Sequence, residues 1–361
     1  MHMSQKSCIF AAAKVCDMKI AFTTVLPKEG FGRLVERGLL GIGDWPLVIG
    51  QCPDEAWKEA EVLVSTFDYK VSREMIEGMP NLLLIANFGA GYNNIDLEAC
   101  KARGIRVTNT PQPVIEPTAE LAFALMIDVA RRVSEFDRML RSHNGENGVN
   151  GDAPKALNGV FGVMKNLSHS LYGKTLGILG MGRIGQALAR RAIASGMRII
   201  YHNRQPLKSE RLKELKSEGV KALNGGNDEM VKYVDFQTLL QDSDYLSLNL
   251  PYTPEVHHII GKPELGMMKR SAYLINTARG AHVDEAALVE ALKSGIIAGA
   301  ALDVYEFEPQ ISAELLTLPN VVLSPHTGTG TWEGRIAMCE NVCDNILAFA
   351  EGRTKDMNVV I

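Results

Sequence analysis

The apolar run Thr175-Leu176-Gly177-Ile178-Leu179 leads into Gly180-Met181-Gly182-Arg183-Ile184-Gly185, and Gln186-Ala187-Leu188-Ala189 follows. A strand, a glycine turn and a helix in that order are the context in which G-x-G-x-x-G cradles a dinucleotide. Gly180 permits the sharp turn, Gly182 lets backbone approach a pyrophosphate, and Gly185 lets the helix pack on the strand. The helix start then offers N–H groups and partial positive charge to the phosphates. A turn kept only for packing is the alternative. Arg279 follows a second apolar run and carries a planar fork suited to a carboxylate; standing alone, such an arginine is a surface charge. His326 lies in a turn between Pro325 and Gly328, where an imidazole exchanges a proton near neutral pH. A plain loop histidine is the competing reading. Glu306 and Glu308 are solvated acids on their own merits, yet a carboxylate beside a histidine favours its charged form. Gly89-Ala90-Gly91 is a side-chain-poor turn of the kind whose clustered amides hold anions, or a structural turn. His257 and His258 read as residues of an ordinary strand or turn, not as metal ligands.

These residues need a frame. The chain has 361 residues, 46% hydrophobic and 22% charged, a globular profile with room for about two domains. Its net charge of −4 implies no nucleic-acid partner. No apolar run approaches the ~20 residues of a membrane helix. Cys8-Ile9-Phe10-Ala11-Ala12-Ala13-Lys14-Val15-Cys16 is a poor secretion signal because Lys14 interrupts it. The six cysteines form no zinc-type pairs, and Cys339 and Cys343 share a helix face. A cytoplasmic protein with free thiols is expected.

Strand-like and helix-like segments alternate over residues 19–117, with strands expected at Lys19–Thr23, Val62–Ser65, Leu82–Asn87 and Arg106–Asn109. Thr118 is placed to cap a helix from Ala119 to about Arg141, with Glu120 in its first turn. Its first half, Leu121 to Ile127, is apolar nearly all round and so is buried within one domain or against another subunit. The Asn/Gly-rich stretch 143–172 reads as a surface excursion. The rhythm resumes with strands at Arg198–His202, Tyr233-Val234, Tyr245–Leu250, Ala272–Asn276, Gly299–Leu302 and Val321–Leu323. Together with the motif strand they fit a doubly wound nucleotide domain. A last helix, Gly334 to Glu351, crosses back to the first domain.

Five ordered segments resemble the D-isomer-specific 2-hydroxyacid dehydrogenases. They are Phe88–Asp96, the glycine motif, Asn276-Thr277-Ala278-Arg279-Gly280, Ala301–Pro309 and Ser324-Pro325-His326-Thr327-Gly328. The likeness spans roughly residues 60 to 350 and looks strongest toward glyoxylate/hydroxypyruvate reductases. It implies an α/β protein of two Rossmann-like domains with doubly wound parallel sheets and a cleft between them. The substrate domain would be discontinuous, 1–117 plus 331–361, and the dinucleotide domain 118–330. It further implies an NAD(P)H-dependent reduction of a small 2-oxo acid. In that reaction Arg279 holds the carboxylate and polarises the carbonyl, His326 is the general acid, and Glu308 is its partner. The amides of Gly89, Ala90 and Gly91 hold the substrate carboxylate. Gly180, Gly182, Arg183, Ile184, Gly185, Asn203, Arg204, Pro251, Thr277, Ala278, Asp303 and Gly328 meet the cofactor. A homodimer formed through the nucleotide domain is implied as well.

Two features depart from that pattern. An NAD site places an acid after the second nucleotide-domain strand, but here the chain reads Tyr201-His202-Asn203-Arg204. Asn203 does not repel a phosphate and Arg204 can pair with one, so NADP(H) is favoured and NAD(H) remains possible. The 143–172 stretch also lacks the tryptophan that related reductases often carry there, and Trp332 either shapes a pocket or simply packs. The competing activities are an NAD-linked D-lactate or phosphoglycerate dehydrogenase and, from another class, a nucleotide-sensing corepressor.

Overall fold

The computed structural model describes residues 18–39, 47–51, 54–145, 166–208, 210, 215 and 231–361. The Cys8–Cys16 stretch, Cys52 and most of the Asn/Gly-rich segment lie outside the described residues. The chain forms two compact units, Met1–Pro117 with Thr329–Ile361, and Thr118–Gly328.

In the first unit, β1 (Ile20–Phe22), β2 (Leu47–Val48), β3 (Val62–Thr66), β4 (Leu84–Phe88) and β5 (Arg106–Thr108) form a parallel sheet in the order β2-β1-β3-β4-β5. Alternate residues point to opposite faces. Phe22, Val62, Val64, Leu84, Ala86 and Phe88 join one apolar cluster, while Ala21, Leu63, Ile85 and Val107 join another. Both faces are therefore covered, which is why these strands read as unbroken apolar runs. β2 went unanticipated because two residues are too few to show alternation. The C-terminal helix Trp332–Ala350 buries Met338, Cys339, Val342, Cys343 and Ile346 in the first cluster. Burial pushes the Cys339 and Cys343 thiols up to about 12 and about 11.

The second unit holds β6 (Thr175–Leu179), β7 (Arg198–His202), β8 (Val231–Tyr233), β9 (Tyr245–Leu248), β10 (Tyr273–Asn276), β11 (Gly299–Leu302) and β12 (Val321–Leu323). Their order is β12-β11-β10-β9-β6-β7-β8, all parallel. The order reverses between β6 and β9, and open sheets of this kind bind ligands beyond the strand ends at that switch point.

Helix α1 (Ile115–Arg131) and helix α2 (Val133–Gly145) replace the single expected helix. Thr118 is not a cap; it lies inside α1, buried at 6% exposure. Pro117 is the reason: in a first turn its missing N–H costs nothing and its fixed φ suits the helix, so the helix starts ahead of it. The break falls at Arg132, with φ +58°. Asp128 accepts from the Ser134 amide at 2.7 Å, and Arg132 forks onto Glu135 at 2.8 and 2.5 Å. Local polar bonds thus outcompete helix continuation.

Candidate active site

β6 ends at the glycine loop, and helix α3 (Arg183–Ala194) begins at its far side with Gly182 as N-cap. Gly180 has φ +96°, and a Cβ there would stand 2.6 Å from the Asn249 carbonyl oxygen. A Cβ on Gly185 would stand 2.5 Å from the Gly180 carbonyl oxygen, so that glycine permits the close helix approach. A Cβ on Gly182 would meet nothing within 4 Å. No side chain caps α3, so its first amides and the space over Gly182 suit a phosphate. Arg183 is exposed and Ile184 half-buried at this mouth.

At the end of β7, Asn203 Oδ1 accepts from the Met181 amide at 2.7 Å, and the Gly180 amide donates to the His202 carbonyl at 3.0 Å. Asn203 is therefore a brace of the loop, and Arg204 beside it is exposed. Glu255 is held below the usual carboxylate range mainly by the Thr253 hydroxyl, with a smaller contribution from Arg204.

Three strand ends further along the same edge carry the remaining set. After β10, Asn276 brackets the turn: its Oδ1 accepts from the Ala278 amide at 3.0 Å and its Nδ2 donates to the Arg279 carbonyl at 2.9 Å. The turn packs hard on the next loop, since a Cβ on Gly280 would stand 1.9 Å from the Tyr305 carbonyl. Burial pushes the Arg279 guanidinium below its ordinary value, and the Glu308 charge opposes that. After β11, Glu308 Oε1 accepts from the Tyr305 amide at 2.9 Å, and its Oε2 lies 2.7 Å from His326 Nδ1. Burial raises the Glu308 pKa, but His326, the Tyr305 amide and Arg279 outweigh it and hold the carboxyl below the usual range. After β12, His326 takes φ +53°. Asp303 imposes that turn: its carbonyl accepts from the His326 amide at 2.9 Å, and its carboxylate accepts from Thr327 and Gly328 at 2.7 and 2.8 Å. Arg279, Glu308 and His326 are thus brought together. Asp303 is spent on the turn that carries His326, and Gly328 is one of the amides it holds.

Thr277 and Ala278 are each 8% exposed, and Pro251 is exposed. Thr277 Oγ1 and Asn249 Oδ1 are buried without a hydrogen-bond partner, at the ends of β10 and β9. Orphaned buried polar atoms at ligand-binding strand ends fit a dinucleotide that would satisfy them.

In the first unit, β4 runs into Gly89-Ala90-Gly91. Asn87 Nδ2 donates to the Gly89 and Gly91 carbonyls at 3.1 and 2.8 Å, and Asn109 Nδ2 donates to the Ala90 carbonyl at 2.8 Å. The carbonyls are pinned, while the Ala90 and Gly91 amides find no acceptor among the described residues. Paired amides left open in this way suit an anion.

Sequence reasoning missed these braces: Asn276, Asn87 and Asn109 in their turns, and the bonds by which Asp303 holds the His326 turn. It also missed His282, which is 0% exposed. Burial pushes His282 down to about 4, against the Pro251 carbonyl, which favours the charged ring. His257, His258 and Glu306 gather three ligand-type atoms within 4.8 Å. Yet His258 Nε2 and Glu306 Oε1 are 2.6 Å apart, a hydrogen bond whose proton stands where an ion would.

A reversed-order parallel sheet, a glycine loop at its switch point and an imidazole–carboxylate pair along the same edge define a class, the dinucleotide-dependent oxidoreductases. Residues 123–328 match the family described as D-isomer specific 2-hydroxyacid dehydrogenase, NAD binding domain. The chain is 48% identical over 298 residues to a glyoxylate reductase of Thermococcus litoralis, covering 82% of this chain and 83% of the relative. It is similar to the structure of a D-lactate dehydrogenase from Aquifex aeolicus complexed with NAD and lactic acid. There the identity is 28%, the TM-score 0.74, and the coverage 95% of this chain and 99% of that one. It is also similar to an NADPH-dependent glyoxylate/hydroxypyruvate reductase of Sinorhizobium meliloti in complex with NADP and malonate. In that case the identity is 29%, the TM-score 0.69, and the coverage 92% of this chain and 93% of that one. The chain belongs to the D-isomer-specific 2-hydroxyacid dehydrogenases and is an oxidoreductase with a nicotinamide cofactor.

Proposed function

We propose that the protein reduces small 2-oxo acids of the glyoxylate and hydroxypyruvate type, with NADP(H) preferred and NAD(H) accepted. The single observation that carries this reading is the 2.7 Å bond between His326 Nδ1 and Glu308 Oε2 beside the Arg279 guanidinium. Arg279 takes the substrate carboxylate and polarises the carbonyl. Because Nδ1 is held by Glu308, Nε2 is the atom that delivers the proton to the carbonyl oxygen. Glu308 fixes the ring and stabilises its cationic form. The bound cofactor supplies the hydride that arrives at C2. The second unit is the dinucleotide domain. Gly180, Gly182, Arg183, Ile184 and Gly185 meet its pyrophosphate, and Pro251, Thr277, Ala278 and Gly328 line the rest. The first unit is the substrate domain, and its Ala90 and Gly91 amides bind a carboxylate.

The NADP preference rests on the absent acid. Asn203 presents no charge against a 2′-phosphate, and exposed Arg204 provides a cation for it. A two-fold dimer through the dinucleotide unit fits the half-exposed Leu121, Phe123 and Ile127 of α1. A cytoplasmic setting fits the free buried thiols of Cys100, Cys339 and Cys343. Among the described residues no helix is long and apolar enough to cross a membrane.

The test follows the nicotinamide absorbance with glyoxylate and hydroxypyruvate, using each cofactor and the Arg204→Ala variant. NADPH should give the higher kcat/KM. Losing a charge-assisted hydrogen bond should cost Arg204→Ala about 10-fold or more with NADPH and little with NADH. Equal losses with both cofactors would remove Arg204 from the phosphate, and no oxidation with either acid would remove the activity.

A further inference from the structure

Helix α4, the Trp332–Ala350 helix of the first unit, places Arg335 in its first turn. A helix N-terminus disfavours a cation there. Arg335 is half-buried, and its guanidinium stands 5.6 Å from the centroid of the Phe88 ring. Burial pushes it below its ordinary value, and exposed Asp68 opposes that only in part. Among the described residues no side-chain hydrogen bond or ion pair reaches it. A desolvated fork with five donors and no acceptor is costly, and stacking on the Phe88 ring offsets that cost only in part. Packing on Phe88 alone therefore does not account for a guanidinium at this position.

Its surroundings provide a further reason. Phe88 ends β4 and leads directly into Gly89-Ala90-Gly91, whose Ala90 and Gly91 amides are also without acceptors among the described residues. Two kinds of unspent donor thus gather at one strand end: a pair of amides and a guanidinium. A ligand with two separated oxygen groups would satisfy both.

We propose that Arg335 is a specificity-determining substrate contact that binds an oxygen on C3 of the 2-oxo acid, a hydroxyl or a carboxylate. This rests on the activity proposed above, with the Ala90 and Gly91 amides holding the C1 carboxylate. The preferred substrates are 2-oxo acids with a polar C3 substituent, and a bare methyl in that place leaves the fork unpaired. Discrimination of this kind is strong because the penalty falls on the protein group left without a partner.

The experiment measures kcat and KM for glyoxylate, pyruvate and hydroxypyruvate with NADPH on the full chain. It compares the wild type with Arg335→Met and Arg335→Lys, with thermal midpoints recorded for each. Hydroxypyruvate should exceed pyruvate in kcat/KM by about 10- to 100-fold in the wild type, the worth of a charge-assisted hydrogen bond. Arg335→Met should bring that ratio to within about 3-fold of unity, chiefly through KM, and leave glyoxylate within about 3-fold of the wild type. Its thermal midpoint should not fall, because a desolvated cation is removed. Arg335→Lys should keep part of the preference, which preserves the test if the Met variant does not fold. A ratio unchanged in Arg335→Met overturns the proposal, and so does a wild-type ratio near unity. Equal losses on all three acids with a lowered midpoint assign Arg335 to bracing α4 on Phe88 and overturn it as well. A wild type that binds NADPH but reduces none of the three overturns both readings. Reduction of all three without discrimination overturns only the assignment of Arg335.

Discussion

Two histidine–glutamate pairs are tied to one loop. His258 Nε2 meets Glu306 Oε1 at 2.6 Å, and His326 Nδ1 meets Glu308 Oε2 at 2.7 Å. Bond length does not separate them, but their surroundings do. The Glu306 side chain is 10% exposed, and its second oxygen accepts from the Glu285 amide at 3.0 Å. Glu285 answers by accepting from the Glu306 amide at 3.1 Å. The His258 amide donates to the Ala281 carbonyl at 2.9 Å. That pair therefore straps the turn behind Arg279 to the loop, with every partner a protein group. The Glu308 side chain is 32% exposed and feels the charge of Arg279. The same two side chains make a brace in one place and, under the proposed function, a proton-transfer site in the other. What decides is whether the pair faces protein or the ligand end of the sheet.

The predictions test that contrast in order of expected size. Arg279→Ala removes the cation proposed to hold the substrate, so kcat should fall by about 100- to 1,000-fold, as for loss of a positioned donor, with KM raised as well. Steady-state kinetics with glyoxylate checks this, and a rise in KM alone would place Arg279 in binding only.

Glu308→Gln should lower turnover by about 10-fold, the worth of a charge-assisted hydrogen bond. The pH sign follows from the depressed carboxyl. Its contribution to stability is complete above the unfolded pKa, near 4.3, and vanishes as pH falls through the lower native value. Stability lost on acidification below about pH 5 should thus be smaller in Glu308→Gln. Acid unfolding followed by circular dichroism checks it, and identical acid slopes would mean the carboxyl is not depressed.

His258→Asn should do the reverse of Glu308→Gln. Asparagine tolerates the φ of +51° at this position but is too short to reach Glu306. Turnover should change by less than about 5-fold, whereas losing this half-buried bond to a carboxylate should lower the thermal midpoint by several degrees. If His258→Asn damaged turnover as much as Glu308→Gln, the distinction between the two pairs would collapse.

The legible parts of the molecule were those written locally. The glycine motif stands between the strand and the helix that its flanks indicated. Strands Arg198–His202, Gly299–Leu302 and Val321–Leu323 appear with the bounds their composition indicated. Roles that depend on distant contacts were not legible. Asp303 holds a turn 24 residues away, and Asn203 braces a loop 22 residues upstream, and neither bond leaves a trace in local pattern. His282 was invisible because nothing in Ala281-His282-Val283 says that its ring is sealed from water. The start of α1 was misplaced because Thr118 has the chemistry of a cap, whereas Pro117 ahead of it is compatible with a first turn. Only the tertiary environment decides between the two.

The central claim is that His326 is the general acid, and turnover of His326→Ala tests it most directly. With NADPH and glyoxylate saturating, kcat should fall by about 100- to 10,000-fold, the usual contribution of a positioned acid. NADPH affinity, measured by fluorescence titration, should stay nearly intact, because the glycine loop is built without His326. Near-normal turnover in His326→Ala with an unchanged pH profile would contradict the account, since the proton would then come from another group.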